Sequence, residues 1–290
     1  MNDILYIEKT IKVSIIIPVY NSSEYLRRVF DSCIYQTLKD IEVITVNDDS
    51  PDSRDEKIMR EYESNYPNKF ICLYNSGEKL GPGGARNMGI RASRGEYFQV
   101  VDSDDYIELD MCEKMYCKAV SEKADLTECN AMVLKNGNTS IMRGGIRLTD
   151  NYSRYKQHVW KFLIRKKFIE DNHLYFPEKV SSDDCISVLW QLTAKKITFC
   201  DYPLYYWVKR DNSESAKKVE FMVNDLSKTI KSIIRYHAYL NLNKESKKVF
   251  ISFFKYLLYY EFIFALTSHA ENLEMCCAKI KKLVQILDKR

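Results

Sequence analysis

Val13-Ser-Ile-Ile-Ile-Pro-Val19 is a short, largely β-branched run, followed after Ser22 by Leu26, Val29, Phe30, Cys33 and Ile34. The apolar period changes there from that of a strand to that of a helix, with Ser22 suited to cap it. The unit then repeats. Ile41-Glu-Val-Ile-Thr-Val46 reads as a second strand, Lys57 to Tyr66 as a helix and Phe70-Ile-Cys-Leu-Tyr74 as a third strand. Strands joined by helices of this size imply an α/β fold, a mostly parallel sheet with flanking helices. Ligands in open sheets of this type sit beyond the carboxyl ends of the strands, where Asn47-Asp-Asp-Ser50 lies.

A second such end is Phe98-Gln-Val-Val-Asp-Ser-Asp-Asp-Tyr-Ile107, an apolar strand running into Asp102, Asp104 and Asp105. Like charges this close repel and lose hydration on burial, so the cluster calls for a cation. Between the two ends lies Gly81-Pro-Gly-Gly-Ala-Arg-Asn-Met-Gly89. Glycines let the backbone approach a ligand, and a helix beginning near Ala85 would aim its free amides and Arg86 at an anion such as a diphosphate. Taken alone, the stretch also suits a flexible surface turn.

Composition sets the frame. At 290 residues and 46% hydrophobic content the chain can bury one ordinary catalytic core and carry an appendage. Nine cysteines occur without C-x-x-C spacing, which points to reduced thiols filling the core and not to a disulfide framework. The first residues lack the basic and long apolar segments of a secretion signal, so a cytoplasmic protein is expected. Six of the nine glycines fall between Gly77 and Gly95, and none follows Gly145. From 216 to 290 there are 14 Lys/Arg against 7 Asp/Glu, while the other residues hold 30 and 33. Basicity is thus a property of the tail; with an overall charge of +4 and no recognition module, nucleic-acid binding is not expected.

Val13-Ser-Ile-Ile-Ile-Pro-Val-Tyr-Asn21, Val46-Asn-Asp-Asp-Ser50, Gly81-Pro-Gly-Gly-Ala-Arg-Asn87 and Val101-Asp-Ser-Asp-Asp105, in this order and spacing, resemble the family 2 glycosyltransferases. These are inverting enzymes with the GT-A fold, a Rossmann-like nucleotide-diphospho-sugar transferase sheet. The resemblance covers residues 12 to 215. It implies a catalytic domain over 1–215, with a nucleotide-binding half at 12–105 and an acceptor-binding half at 106–215, followed by a helical region at 216–290.

The resemblance also implies roles for single residues. Pro18, Tyr20, Asp48, Gly84, Arg86, Asp102, Ser103 and Arg210 fall where the family binds its nucleotide-sugar. Tyr20 would stack on the base, although an ordinary loop tyrosine is the alternative in a chain with 21 of them. Asp48 would accept from the uracil ring N–H; a carboxylate cannot donate, so it selects a base that presents a donor. The usual family text there is Asp-Asp-Gly-Ser, and this chain replaces the first Asp and the Gly. Arg86 would pair with the diphosphate or with carboxylates facing it. Asp102, Asp104 and Asp105 would hold Mn²⁺ or Mg²⁺, because a departing nucleotide diphosphate needs a hard cation with oxygen ligands. A solvated loop or a structural calcium site is the alternative reading of that cluster. Some relatives add a histidine ligand, and none of His158, His173, His237 and His269 matches it.

Inversion requires a base opposite the leaving group to take the proton of the acceptor hydroxyl. Ser182-Asp-Asp-Cys185 resembles the family's Glu-Asp pair, which makes Asp184 the expected base. The same residues also suit a helix start before Ile186, Val188, Leu189 and Leu192. In Tyr205-Tyr-Trp-Val-Lys-Arg-Asp-Asn-Ser213, Arg210 would reach the diphosphate and Trp207 a sugar face, or Trp207 packs structurally. The tail reads as helices over 221–240, 249–269 and 273–287, either packed on the catalytic domain or lying on anionic lipid; Lys255 and Glu261 argue against a membrane span. A UDP-sugar donor, a saccharide acceptor linked to lipid and peripheral contact with the inner face of the cell membrane complete the expectation. The alternatives are a nucleotidyltransferase, whose glycine-rich loop would follow the first strand where Pro18-Val-Tyr-Asn-Ser-Ser stands, and a non-catalytic nucleotide-sugar binder.

Overall fold

The structure is a computed structural model, and it describes residues 10–145, 158–180, 183–210, 228–267 and 273–288. Among the described residues nine strands form one sheet: β1 Val13–Val19, β2 Ile41–Asp48, β3 Phe70–Asn75, β4 Tyr97–Val100, β5 Tyr106–Ile107, β6 Leu126–Lys135, β7 Asn138–Met142, β8 Phe162–Arg165 and β9 Ile197–Val208. Their order is β3-β2-β1-β4-β8-β6-β9-β5, with β7 paired to β6. β3, β2, β1 and β4 run parallel. β8 enters antiparallel between β4 and β6, and β9 returns parallel to β6. The molecule is therefore the expected α/β sheet, parallel in its first half and mixed in its second.

Alternation along β1 divides the core. Val13, Ile15, Ile17 and Val19 join Leu26, Val29, Phe30 and Cys33 of α1 (Ser23–Ile34) on one face. Ile16 points to the other face, among Ile90, Phe98 and Val100. Each fully buried side chain of this size contributes about 1.5–3 kcal/mol relative to exposure. Helix α2 (Ser53–Asn65) begins four residues before the sequence pattern suggests, because Asp52 accepts from the Arg54 amide at 3.0 Å and caps it.

Helix α3 spans Gly81–Ala92 and likewise starts four residues earlier than Ala85. Gly81 turns the chain with φ +75°, Pro82 fits the first helical turn, and Asp48 accepts the amides of Leu80 at 2.9 Å and Gly81 at 2.8 Å. The glycines therefore lie inside the helix and let it press on the sheet. A Cβ at Gly89 would stand 2.5 Å from Ile16 Cγ2. The other helices of the domain are α4 (Met111–Glu122), α5 (Lys166–Asn172) and α6 (Ile186–Thr193).

The tail is helical at 228–233, His237–Leu240, Lys244–Thr267 and Leu273–Asp288. A turn at 234–236 interrupts the single helix expected over 221–240, and residues 221–227 lie outside the described residues. Ile230, Ile233, Phe250, Phe253, Phe254 and Leu258 are buried in the same cluster as Phe168, Leu189 and Trp190. The described part of the aromatic stripe thus packs against α6 and shares one core with Phe168 and Ile169 of α5. No described helix is long and apolar enough to cross a membrane.

Candidate active site

The register Val19 to Asn47 and Ile16 to Val100 brings the carboxyl ends of β1, β2 and β4 to one rim of the sheet. Three loops meet there. Asn21 and Asp49 both adopt left-handed backbone, φ 50° and 54°, which Asn and Asp tolerate best among non-glycine residues. Asp49 stands where the family's usual text has glycine, and its φ explains that glycine. Asn47 Oδ1 accepts from the Ser50 amide at 2.9 Å and tightens the turn. Beneath it Asp55, fully buried, accepts from the Ser22 amide at 3.2 Å and from Ser50 Oγ at 2.7 Å, tying the β1 and β2 loops together. Ser22 heads α1 without a side-chain cap bond; its hydroxyl turns to Tyr20 O and to Ser103 Oγ, 2.7 Å away, joining the third loop.

Tyr20 is 43% exposed and carries Lys79 Nζ 3.1 Å from its ring centroid, a cation–π contact. Asp48 ends β2 almost fully buried, its Oδ1 also accepting from Asn75 Nδ2 at 2.7 Å. Gly84 lies in α3, and a Cβ there would meet Leu80 Cβ at 2.5 Å.

Arg86 projects from α3 and joins two distant carboxylates. Its Nη2 donates to Asp102 Oδ1 at 2.7 Å and its Nη1 to Asp184 Oδ1 at 3.2 Å, while the guanidinium lies 5.3 Å from the Phe176 ring. The arginine side chain is 6% exposed; Asp102 and Asp184 are 29% and 23% exposed and open to a ligand. Asp184 sits in a 3-10 turn, Asp183–Cys185, ahead of α6. Cys185 takes the N-cap position of α6 and makes no side-chain cap bond. Asp183's side chain lies outside the described residues.

Asp184 Oδ2 faces His158 Nδ1 at 4.0 Å. His158 stacks on Trp160 at 4.8 Å, Trp160 stacks on Tyr205 at 4.2 Å, and Trp207 leans on both His158 and Trp160. Tyr205 closes the pile at the aspartate loop: its hydroxyl donates to Asp105 Oδ2 at 2.7 Å and accepts from the Asp102 amide at 3.1 Å. A column of rings therefore connects Asp105 to Asp184.

The three aspartates of the loop differ in environment. Asp105 is 1% exposed, with Oδ1 taken by the Val208 amide at 2.8 Å and Oδ2 by Tyr205. Burial first, then the charges of Asp102 and Asp104, push its pKa well above the usual carboxylate range. Asp104 is also raised by burial and by Asp102, and pairs with Arg210 Nη2. Arg28 Nη2 donates to its backbone oxygen at 2.5 Å. Asp102 and Asp104 remain partly open, two hard oxygen donors whose mutual repulsion a divalent cation would relieve. Among the described residues no group of three or more carboxylate, His or Cys side chains could hold a metal by itself. Two aspartates fit a cation bound jointly with a ligand's own oxygens.

Sequence reasoning missed Asp55, His158 and the pillar role of Tyr205. Tyr205 stands inside the aromatic run already quoted, but its partners are a hundred residues upstream.

The curled, mostly parallel sheet with flanking helices and this rim is a fold of the GT-A type. A sequence model of Glycosyl transferase family 2 matches residues 14–185, and the chain belongs to that family. The chain is similar to the putative glycosyltransferase EpsH of Bacillus subtilis (strain 168), 31% identical over 215 residues, 69% of this chain and 61% of that protein. It is also similar to the poly(ribitol-phosphate) beta-glucosyltransferase of Bacillus spizizenii, 33% identical over 212 residues, 69% of this chain and 33% of the relative. The match thus spans less than two thirds of the length of either curated relative. Among solved structures, S. aureus TarS 1–349 in complex with UDP superposes with a TM-score of 0.72 at 20% identity, covering 96% of this chain and 82% of the TarS 1–349 chain, and shares the fold.

Proposed function

We propose that the protein is an inverting glycosyltransferase that moves a sugar from a UDP-sugar to a hydroxyl of a growing cell-surface glycan, with Asp184 as general base. The observation that carries this reading is the Arg86 bridge: one buried guanidinium spans Asp102, on the leaving-group side, and Asp184, on the acceptor side. Family membership and the surface-polymer relatives support glycosyl transfer in surface polysaccharide synthesis. The UDP of the TarS complex, and the acceptor capacity left on Asp48 Oδ2, support a uridine donor.

In this mechanism the acceptor hydroxyl oxygen attacks the anomeric carbon as Asp184 takes its proton, and the bond to UDP breaks with inversion. Asp102 and Asp104 would hold Mn²⁺ or Mg²⁺, whose chemistry is to neutralise the diphosphate as it departs. Arg86 keeps Asp184 in place, and Arg210 serves the diphosphate. Tyr20 and Asp48 bind the base beside Pro18, and Gly84 and Ser103 shape the walls. The first 215 residues carry catalysis and the region 216–290 supports them. Exposed Lys231, Arg235, Lys244, Lys248, Lys281 and Lys282 support peripheral contact with an anionic membrane face and a lipid-linked acceptor.

Calorimetric titration of UDP with Mn²⁺ and with EDTA, followed by a panel of UDP-sugars, tests the donor. Metal-dependent binding that tightens for one sugar is expected. With that donor in hand, Asp184→Asn should keep donor binding and lose transfer by about a hundredfold or more, while Asp104→Ala should weaken metal-dependent donor binding. Transfer by Asp184→Asn at the wild-type rate removes Asp184 from the mechanism. Absence of any nucleotide binding favours a non-catalytic member of the fold.

A further inference from the structure

Arg210 stands on the carboxylate that a cation needs. Its Nη2 pairs with Asp104 Oδ2, and its guanidinium lies 4.4 Å from the Tyr25 ring centroid. The backbone just before it is fixed: the Val208 amide donates to Asp105 and the Lys209 amide to Leu134 O at 2.9 Å. The side chain is 33% exposed and lies two residues beyond the end of β9. Among the described residues Arg210 Nε is buried without an acceptor, so the pairing with Asp104 leaves part of the guanidinium fork unused. A donor diphosphate would offer that fork bidentate oxygens.

We propose that Arg210 is a latch shared between Asp104 and the donor: it neutralises Asp104 in the nucleotide-free protein and passes to the diphosphate when a divalent cation takes Asp104. The inference rests on the donor reading above. Two cationic groups cannot share one carboxylate without repulsion, so the cation and Arg210 compete for Asp104. The donor rewards the displaced arginine, and cation and UDP therefore bind with positive coupling that is reciprocal by linkage. Arg28 and Tyr25 frame the exchange by holding the loop carbonyl and the guanidinium face.

Titration calorimetry of the full chain with Mn²⁺ alone, and with UDP at saturating Mn²⁺, separates the two halves of the latch. Arg210→Gln should bind Mn²⁺ alone about threefold or more tighter than wild type, yet bind UDP about tenfold weaker in its presence. Lys209→Gln, which removes a neighbouring charge that contacts Trp207 and not Asp104, should leave Mn²⁺ affinity near wild type. Weaker binding of both ligands by Arg210→Gln overturns the latch in favour of a structural role. Unchanged Mn²⁺ affinity with weaker UDP leaves Arg210 a plain diphosphate ligand and also overturns it. Equal gains in Lys209→Gln and Arg210→Gln would reduce the effect to bulk charge. Wild type that takes Mn²⁺ and ignores UDP in every condition removes the donor reading and, with it, the transfer step.

Discussion

Asp105 accepts from Tyr205 and Val208 and holds its proton more tightly than an ordinary carboxyl because burial and two neighbouring aspartates oppose its charge. In the folded protein it binds a proton at a pH where the unfolded chain has released it. Its contribution to stability therefore falls as pH rises through the raised value and is recovered below it. Asp105→Asn should flatten that dependence: the loss of thermal stability between a pH at the ordinary carboxylate value and a neutral pH shrinks relative to wild type. An unchanged difference between the two pH values would show that the proton is not held there. This residue also marks a limit of sequence reading. Asp102, Asp104 and Asp105 are indistinguishable as text, and only β9, arriving from a hundred residues away, assigns one of them to the fold and leaves two open. Asp55 and His158 escaped for the same reason, since their partners Ser22 and Asp184 are remote in the chain. Motif order singled out Arg86 and Asp184 in the sequence, and their pairing appears only in the fold.

Among the elements, β1 to β4 and α1 were readable because each has one dominant apolar period. Boundaries were less so. Helix α3 begins at Gly81 because Asp48, a residue of another element, takes its first amides, and no local pattern in the glycine stretch contains that fact. Glycines elsewhere in the sheet–helix interface behave unequally. At Gly89 an added Cβ meets the end of the Ile16 side chain, whereas at Gly95 it meets the Ser14 amide and the Tyr97 carbonyl at 2.6 Å. Backbone cannot rotate away. Gly95→Ala should therefore cost more than Gly89→Ala, which is expected to lose about 1–3 kcal/mol by overpacking. Urea denaturation of the two variants checks the order, and a smaller loss for Gly95→Ala would contradict the packing argument.

At the level of the whole chain, the tail shares a core with the α/β sheet and its helices. Phe250, Phe253 and Phe254 are fully buried in the cluster that also holds Trp190 and Phe168. Phe254→Ala should cost about 3–5 kcal/mol, and it should lower a single unfolding transition and not split it. Two separate calorimetric transitions, with only one displaced by the substitution, would instead make the tail an independent unit. The excess of lysine and arginine in this region announced a different surface, but its aromatic stripe could not say whether protein or lipid covers it; the contact with α6 and the core shared with Phe168 answer that for the described side chains.

The insertion of β8 between β4 and β6 has a consequence for synthesis. On the ribosome the parallel strands β3, β2, β1 and β4 can assemble while the rest of the chain is still being made, since every pairing among them is complete by Val100. Yet β4 then presents a bare edge until Phe162–Arg165 emerges to cover it. An unpaired apolar edge in a nascent chain is a template for pairing with the wrong partner. The interval between translating β4 and translating β8 is thus the period in which this chain has most to gain from a chaperone, and a slower ribosome over that interval would lengthen its exposure.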